Sequence, residues 1–191
     1  MDNMDSKVHE MLKEGENLLW SGKPANVKAL DKTNKTYDLT KLVISLVLMV
    51  ILSVLYIVRT LRNSGEVQAL VVILIVIIFG FIGSNELLEA RKMKGVEYYL
   101  TNMRLISLSA DRKVIIPLSS IDDYKFTTDA DGNTSLRIGK KAYGFKDYKL
   151  RNKSTFPPDI DEETGKCSKA IFYSIPDIEN FRKIFEAQLG S

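Results

Sequence analysis

Two apolar runs without a single charge, Leu42 to Val58 and Val67 to Asn85, stand eight residues apart in an otherwise polar chain of 191 residues. At about 1.5 Å of rise per residue, they make helices of roughly 26 Å and roughly 28 Å. Both lengths are close to the hydrocarbon thickness of a bilayer. Backbone amides find no water in lipid, so each run is expected to be helical, and the link Arg59 to Glu66 makes the pair an antiparallel hairpin. A core helix of a soluble protein would carry a polar stripe, whereas Leu42 to Val58 offers only Ser45, Ser53 and Tyr56. Gly80 and Gly83 allow two helices to approach closely.

Lys41 and Arg59 bracket the first run, where long basic side chains reach headgroups. Together with Trp20 and Tyr56 they form the expected interfacial anchors. Trp20 has a second reading, packing against the folded domain or the hairpin base. The polar opening, Met1 to Asp5 and beyond, predicts no cleavable signal peptide.

Lys23, Lys28, Lys32, Lys35 and Lys41 precede the first run, and Arg91, Lys92 and Lys94 follow the second; the link holds Arg59 and Arg62. This asymmetry predicts that both termini are cytoplasmic at the plasma (inner) membrane. Cys167 is the one cysteine, which suits a reducing compartment. The net charge of +3 is uneven: residues 91 to 191 carry eighteen basic groups against fourteen acidic. That excess favours a nearby anionic leaflet and is too small to suggest nucleic-acid binding. The expected organisation is an N-terminal cytoplasmic segment at 1–38, a transmembrane helical hairpin at 39–90 and a folded domain at 91–191.

Within that domain, Val96 to Thr101, Arg104 to Leu108, Val114 to Leu118, Tyr124 to Thr128 and Thr134 to Ile138 are β-branched or alternate, and they predict an antiparallel meander. Gly132 supplies the positive φ that the Asp129 to Asn133 turn needs. Lys169 to Tyr173 reads as a further strand. Pro176 then opens a helix with Ile178, Phe181, Ile184, Phe185 and Leu189 on one face and Gly190 closing its end.

Tyr98-Tyr99-Leu100-Thr101-Asn102-Met103-Arg104-Leu105-Ile106, Ile116-Pro117-Leu118-Ser119-Ser120-Ile121 and Phe172-Tyr173-Ser174-Ile175-Pro176-Asp177 resemble the bacterial pleckstrin-homology-like (PH-like) domains. Gly15 to Pro24 is similar to the segment that precedes the membrane hairpin in membrane-bound members. The resemblance implies a mainly-β domain, a bent antiparallel β-barrel capped by a C-terminal helix, tethered to the inner face of a bacterial membrane. It also implies a binding module rather than an enzyme. The motif residues Tyr99, Leu100, Thr101, Asn102 and Arg104 read as architecture: Thr101 and Asn102 turn the chain, and Arg104 is expected to pair with a carboxylate such as Asp122 or Asp123. A phosphoinositide site needs several cations in the first hairpin, and that turn offers only Arg112 and Lys113 beside Asp111.

A membrane or partner surface is expected at Arg137, Lys140, Lys141, Tyr143, Phe145, Lys146, Lys149 and Arg151, where aromatics interleave with cations. The other reading is a solvated loop, and the acidic stretch Asp159 to Glu163 can neutralise it. No catalytic, cofactor or metal site is expected: His9, the one histidine, and Cys167 lack a partner base or ligand, and Gly139-Lys140-Lys141 lacks the spacing of a phosphate loop. Two function classes follow. One is a membrane-anchored binding module whose partners are the lipid bilayer and a protein or second copy, with no nucleic acid or small-molecule substrate. The other is a small two-helix subunit of a transport or channel complex, which ionisable groups inside the crossings would favour.

Overall fold

The fold is that of a computed structural model, which describes residues 8, 10–25, 27–28, 32, 35–63, 65–110, 113–143, 159–161 and 164–190. The chain forms two compact units. One comprises the described residues of Met1–Val27 and Lys92–Ser191, and the other those of Lys28–Arg91.

In the second unit, helix α1 (Lys35–Arg62) and helix α2 (Ala69–Lys94) contain the two apolar runs. Their helicity follows from an unbroken series of Leu, Ile, Val and Met without proline or interior glycine in α1. The Ser45 hydroxyl donates to the Phe79 carbonyl at 2.6 Å, and the Gln68 amide donates to the Tyr56 hydroxyl at 3.2 Å. The first bond joins the two helices, and the second ties the link to α1. Outside a less exposed stripe through Leu42, Ser45, Met49, Ser53 and Tyr56, the apolar side chains of α1 are exposed, with Val43, Ile44, Val50, Val54 and Leu55 each more than half exposed. Among the described residues, α1 alone is long and apolar enough to cross a membrane; the apolar part of α2, Ala69–Phe81, is shorter.

The first unit contains two four-stranded antiparallel sheets. β1 (Leu18–Gly22), β2 (Glu97–Thr101), β3 (Arg104–Leu108) and β4 (Lys113–Pro117) follow one another in the first sheet. In the second, β5 (Tyr124–Thr128) pairs with β6 (Thr134–Ile138), β6 with β8 (Cys167–Phe172), and β8 with the two-residue β7 (Asp159–Ile160). A short helix α3 (Lys140–Tyr143) leaves β6, and helix α4 (Ile178–Leu189) follows β8. The described residues form open sheets rather than a closed barrel.

The strands and turn expected from alternation and from Gly132 are present, with Gly132 at φ +83°. Asp129 fixes that turn by accepting the amides of Asp131 and Asn133, each at 2.9 Å. One end signal is corrected: Pro176 lies outside α4, whose N-cap is Asp177. Gly190 closes the helix as its C-cap, with a right-handed φ of −89° and its amide donating to the Glu186 carbonyl at 3.1 Å.

Strand β1 belongs to the same unit as the C-terminal sheets, so the 1–38 segment is divided: its first part folds with residues 92–191. The reason lies in β2 and β3, which are buried at every position. A strand buried on both faces needs cover on both. One face of this sheet carries Tyr99, Ile106 and Leu108, over which Val8, Met11, Leu12 and Leu18 pack. Toward the other side, Tyr98 meets Phe172 edge-on at 5.2 Å, and its hydroxyl accepts from the Tyr173 amide and donates to the Tyr173 carbonyl, both at 3.1 Å. Helix α4 buries Phe181 and Phe185 among Trp20, Tyr124 and Phe126, with Trp20 edge-on to Phe181 at 4.8 Å. The apolar face of the helix is the one its sequence spacing indicated.

Replacing residues 28–91 by a flexible glycine–serine linker is expected to leave a soluble domain that melts cooperatively. A fragment beginning at Lys92 lacks β1 and the N-terminal cover, so its circular dichroism melt is expected to be broad, without a two-state transition. Equal cooperativity in both would show the N-terminal cover to be dispensable.

Candidate functional site

The Thr101-Asn102-Met103-Arg104 motif forms the turn between β2 and β3. Thr101 Oγ1 accepts the amides of Met103 at 3.1 Å and Arg104 at 2.9 Å, closing the turn through its side chain. Arg104 then faces the N-terminal segment. Its Nε donates to Glu16 Oε1 and its Nη2 to Glu16 Oε2, both at 2.8 Å, a two-pronged ion pair. A further bond from Nη2 reaches the Met11 carbonyl at 2.6 Å. Asn102 secures the same segment by accepting the Asn17 amide at 2.8 Å and donating to the Gly15 carbonyl at 3.1 Å.

Arg104 thus pairs with a carboxylate, as expected, but the partner is Glu16 and neither Asp122 nor Asp123. Glu16 takes that role because it enters on the segment that covers the sheet. Asp122 instead pairs with Lys166 at 2.7 Å, and Asp123 accepts the Tyr143 hydroxyl at 2.6 Å. The Asp122 pair is exposed on both sides and contributes about 0–1 kcal/mol. The Thr101, Asn102 and Arg104 side chains bond to backbone groups of their own turn and of the N-terminal segment, and to Glu16. What sequence reasoning missed is Glu16, which no local signal separates from Glu10 or Glu14; the only pointer is its place just before the apolar Leu18-Leu19-Trp20.

Glu16 and Arg104 are both buried. Burial by itself would raise the Glu16 carboxyl, but hydrogen bonds from Arg104, the Lys13 amide and Thr101, together with the charge of Arg104, hold it below its ordinary value. A depressed carboxyl contributes stability that is fully present above the unfolded value and is lost as pH falls through the folded one. Denaturant midpoints followed by Trp20 fluorescence should thus hold steady through neutral pH and fall once pH drops below the ordinary carboxylate range, about 4.3. In Glu16→Gln this contribution to the pH slope should vanish. An unchanged slope would contradict the pairing.

The basic surface is only partly where the sequence placed it. Arg137 is 5% exposed, and its Nη1 donates to the Tyr143 carbonyl at 3.3 Å, so it is a buried cation and not part of the expected surface. Strand β6 is buried at four successive positions, Ser135 to Ile138, so position 137 is enclosed whichever face it takes. Lys140 and Lys141 are exposed on α3. Tyr143 is half-buried, and burial together with the Asp123 hydrogen bond raises its hydroxyl pKa. Phe145, Lys146, Lys149 and Arg151 lie outside the described residues, as does His9.

Among the expected anchors, Trp20 is 7% exposed and packed on Phe181. It takes the packing alternative, because β1 pairs with β2 and turns its ring inward. Tyr56 and Arg59 lie near the α1–α2 link, and Lys41 lies toward the other end of α1. An open depression of about 540 Å³ borders the motif turn, lined by Asn102, Met103, Leu118, Ile121 and Leu189 among others. Among the described residues, no cluster of three or more His, Cys, Asp or Glu could hold a metal ion. Cys167 is buried.

Comparison with protein-family models, with curated proteins and with solved structures gave no match.

Proposed function

We propose that this protein is a membrane-anchored binding module of the PH-like kind. In this reading α1 and α2 cross the bilayer as a hairpin, both termini are cytoplasmic, and the two sheets with α4 form the bent, helix-capped domain that the motif resemblance implies. That domain docks a protein partner or the anionic leaflet and performs no catalysis.

The observation that carries the reading is the exposure of α1. Leu46, Val47, Leu48, Ile51, Leu52 and Val58 are each two-fifths to one-half exposed, in addition to the five residues already named. Burying one such side chain is worth about 1.5–3 kcal/mol. A row of them left in water would be untenable, whereas lipid solvates them without a protein partner. A transport or channel subunit has less support, because the Ser45 hydroxyl and Phe79 carbonyl of the crossings are bonded to each other. Lys140 and Lys141 remain as the exposed cations of the proposed docking surface.

Topology can be read from C-terminal fusions of the full chain expressed in bacteria. Green fluorescent protein at the C-terminus should fluoresce, and alkaline phosphatase at the same place should be inactive. Active phosphatase with a dark fluorescent fusion would place the domain outside and refute the reading.

A further inference from the structure

The paired helices leave an open groove of about 400 Å³ along one side, lined by Tyr37, Lys41, Ile44, Leu48 and Phe79 among others. Tyr37, Lys41, Ile44 and Leu48 are spaced by four, three and four residues, which places them on a single stripe of α1. The stripe changes character along its length: a phenol and an ammonium occupy the N-terminal end, and carbon lines the rest. At the floor, the Ser45 hydroxyl is bonded to the Phe79 carbonyl, so the polar atoms there are directed at one another. A membrane-facing groove with a cation at its mouth and a hydrocarbon floor has the chemistry of a lipid site.

We propose that this groove holds one anionic phospholipid of the inner leaflet, its phosphate at Lys41 and Tyr37 and an acyl chain against Ile44, Leu48 and Phe79. Charge selects the occupant. Counted from the sequence, Lys28, Lys32, Lys35 and Lys41 outnumber Asp31 and Asp38 ahead of the first apolar run, and Arg91, Lys92 and Lys94 outnumber Glu86 and Glu89 after the second, so this end of the helices is net basic and favours an anionic over a zwitterionic headgroup. Tyrosine near a helix end suits the headgroup level. The proposal rests on the anchor reading, since only with α1 in the bilayer does the groove meet lipid.

The test uses the full chain reconstituted in vesicles of equal phosphatidylglycerol and phosphatidylcholine with matched acyl chains. Retained lipid is then counted by native mass spectrometry, and a carbonate-washed portion of each sample is sedimented. The wild-type chain should retain phosphatidylglycerol in excess of its share. Lys41→Gln should lower that excess about fivefold, the effect of one lysine beside an anionic headgroup. Leu48→Trp, which fills the groove with an apolar ring, should reduce the retained lipid itself. Lys35→Gln, off the stripe, should change the excess least. Proportional retention by the wild type, or an excess untouched by Lys41→Gln, would overturn the lipid site while the protein sediments with the bilayer and the anchor reading stands. Release of the wild type into the carbonate supernatant would overturn both.

Discussion

Glu16→Ala is expected to destabilise the two-sheet unit by about 3–5 kcal/mol, a large part of the about 5–15 kcal/mol that holds a domain folded. The substitution leaves the guanidinium of Arg104 buried without its carboxylate. The cost comes from that uncompensated charge more than from the value of the pair itself. The same substitution removes the acceptor of the Lys13 amide at 2.9 Å and of the Thr101 hydroxyl at 2.7 Å, and so loosens the chain that covers Tyr99 and Ile106. The double variant Glu16→Leu, Arg104→Met removes both charges and should recover much of the loss. Chemical denaturation of the wild type, Glu16→Leu, Arg104→Met and the double variant, followed by Trp20 fluorescence, measures the coupling. Additive losses would show that the two side chains do not act as a pair.

Gly139→Ala is the second large effect. Gly139 has φ +79°, and an added Cβ would lie 2.3 Å from the backbone carbon and oxygen of Ser168 and 2.5 Å from the Cys167 oxygen. The left-handed conformation costs a non-glycine residue about 1–2 kcal/mol, and forcing atoms into a packed site costs about 1–3 kcal/mol more. Strand β8 cannot retreat without losing its pairing to β6, so the full penalty of about 2–5 kcal/mol is expected. Gly132→Ala is the control. It has a similar φ of +83° and nothing within 4 Å of the added carbon, so only the conformational cost should appear. Equal losses at the two positions, measured as shifts in the denaturation midpoint, would contradict the contact at Ser168.

What could be read from the sequence is what is local in the chain. Alternation found β3, β5 and β6 to the residue, Gly132 found the turn at Asp129, and the spacing of Phe181 and Phe185 found the buried face of α4. The N-terminal cover was not legible, because the partner of Arg104 lies 88 residues away and polar segments containing Glu10, Glu14 and Glu16 look alike. Yet Glu97 to Thr101 carried a hint: two tyrosines, a leucine and a threonine in succession break strict alternation and ask for cover on both faces. Cations close in sequence suggest a patch that includes Arg137, but closeness in sequence does not show which of them the fold encloses. Strand β6 is covered on both faces from Ser135 to Ile138, so Arg137 is buried with its apolar neighbours, and its Nη1 donates to the Tyr143 carbonyl. Trp20 was divided between packing and anchoring, and its pairing strand decides for packing.

The site residues that matter thus fall into two groups with different physical roles. Glu16, Thr101, Asn102 and Arg104 join the two parts of one folded unit that the helices interrupt in sequence. Lys140 and Lys141 offer exposed charge beyond β6. The anchor reading gives this interrupted arrangement a purpose, since a domain completed by chain on both sides of the helices tethers itself at two points.

The most direct test of that reading is alkaline carbonate extraction of membranes containing the full chain, with the soluble 28–91 replacement in parallel. The full chain should remain in the membrane pellet, and the replacement should appear in the supernatant. Release of the intact full-length protein by carbonate would contradict insertion of α1 into lipid.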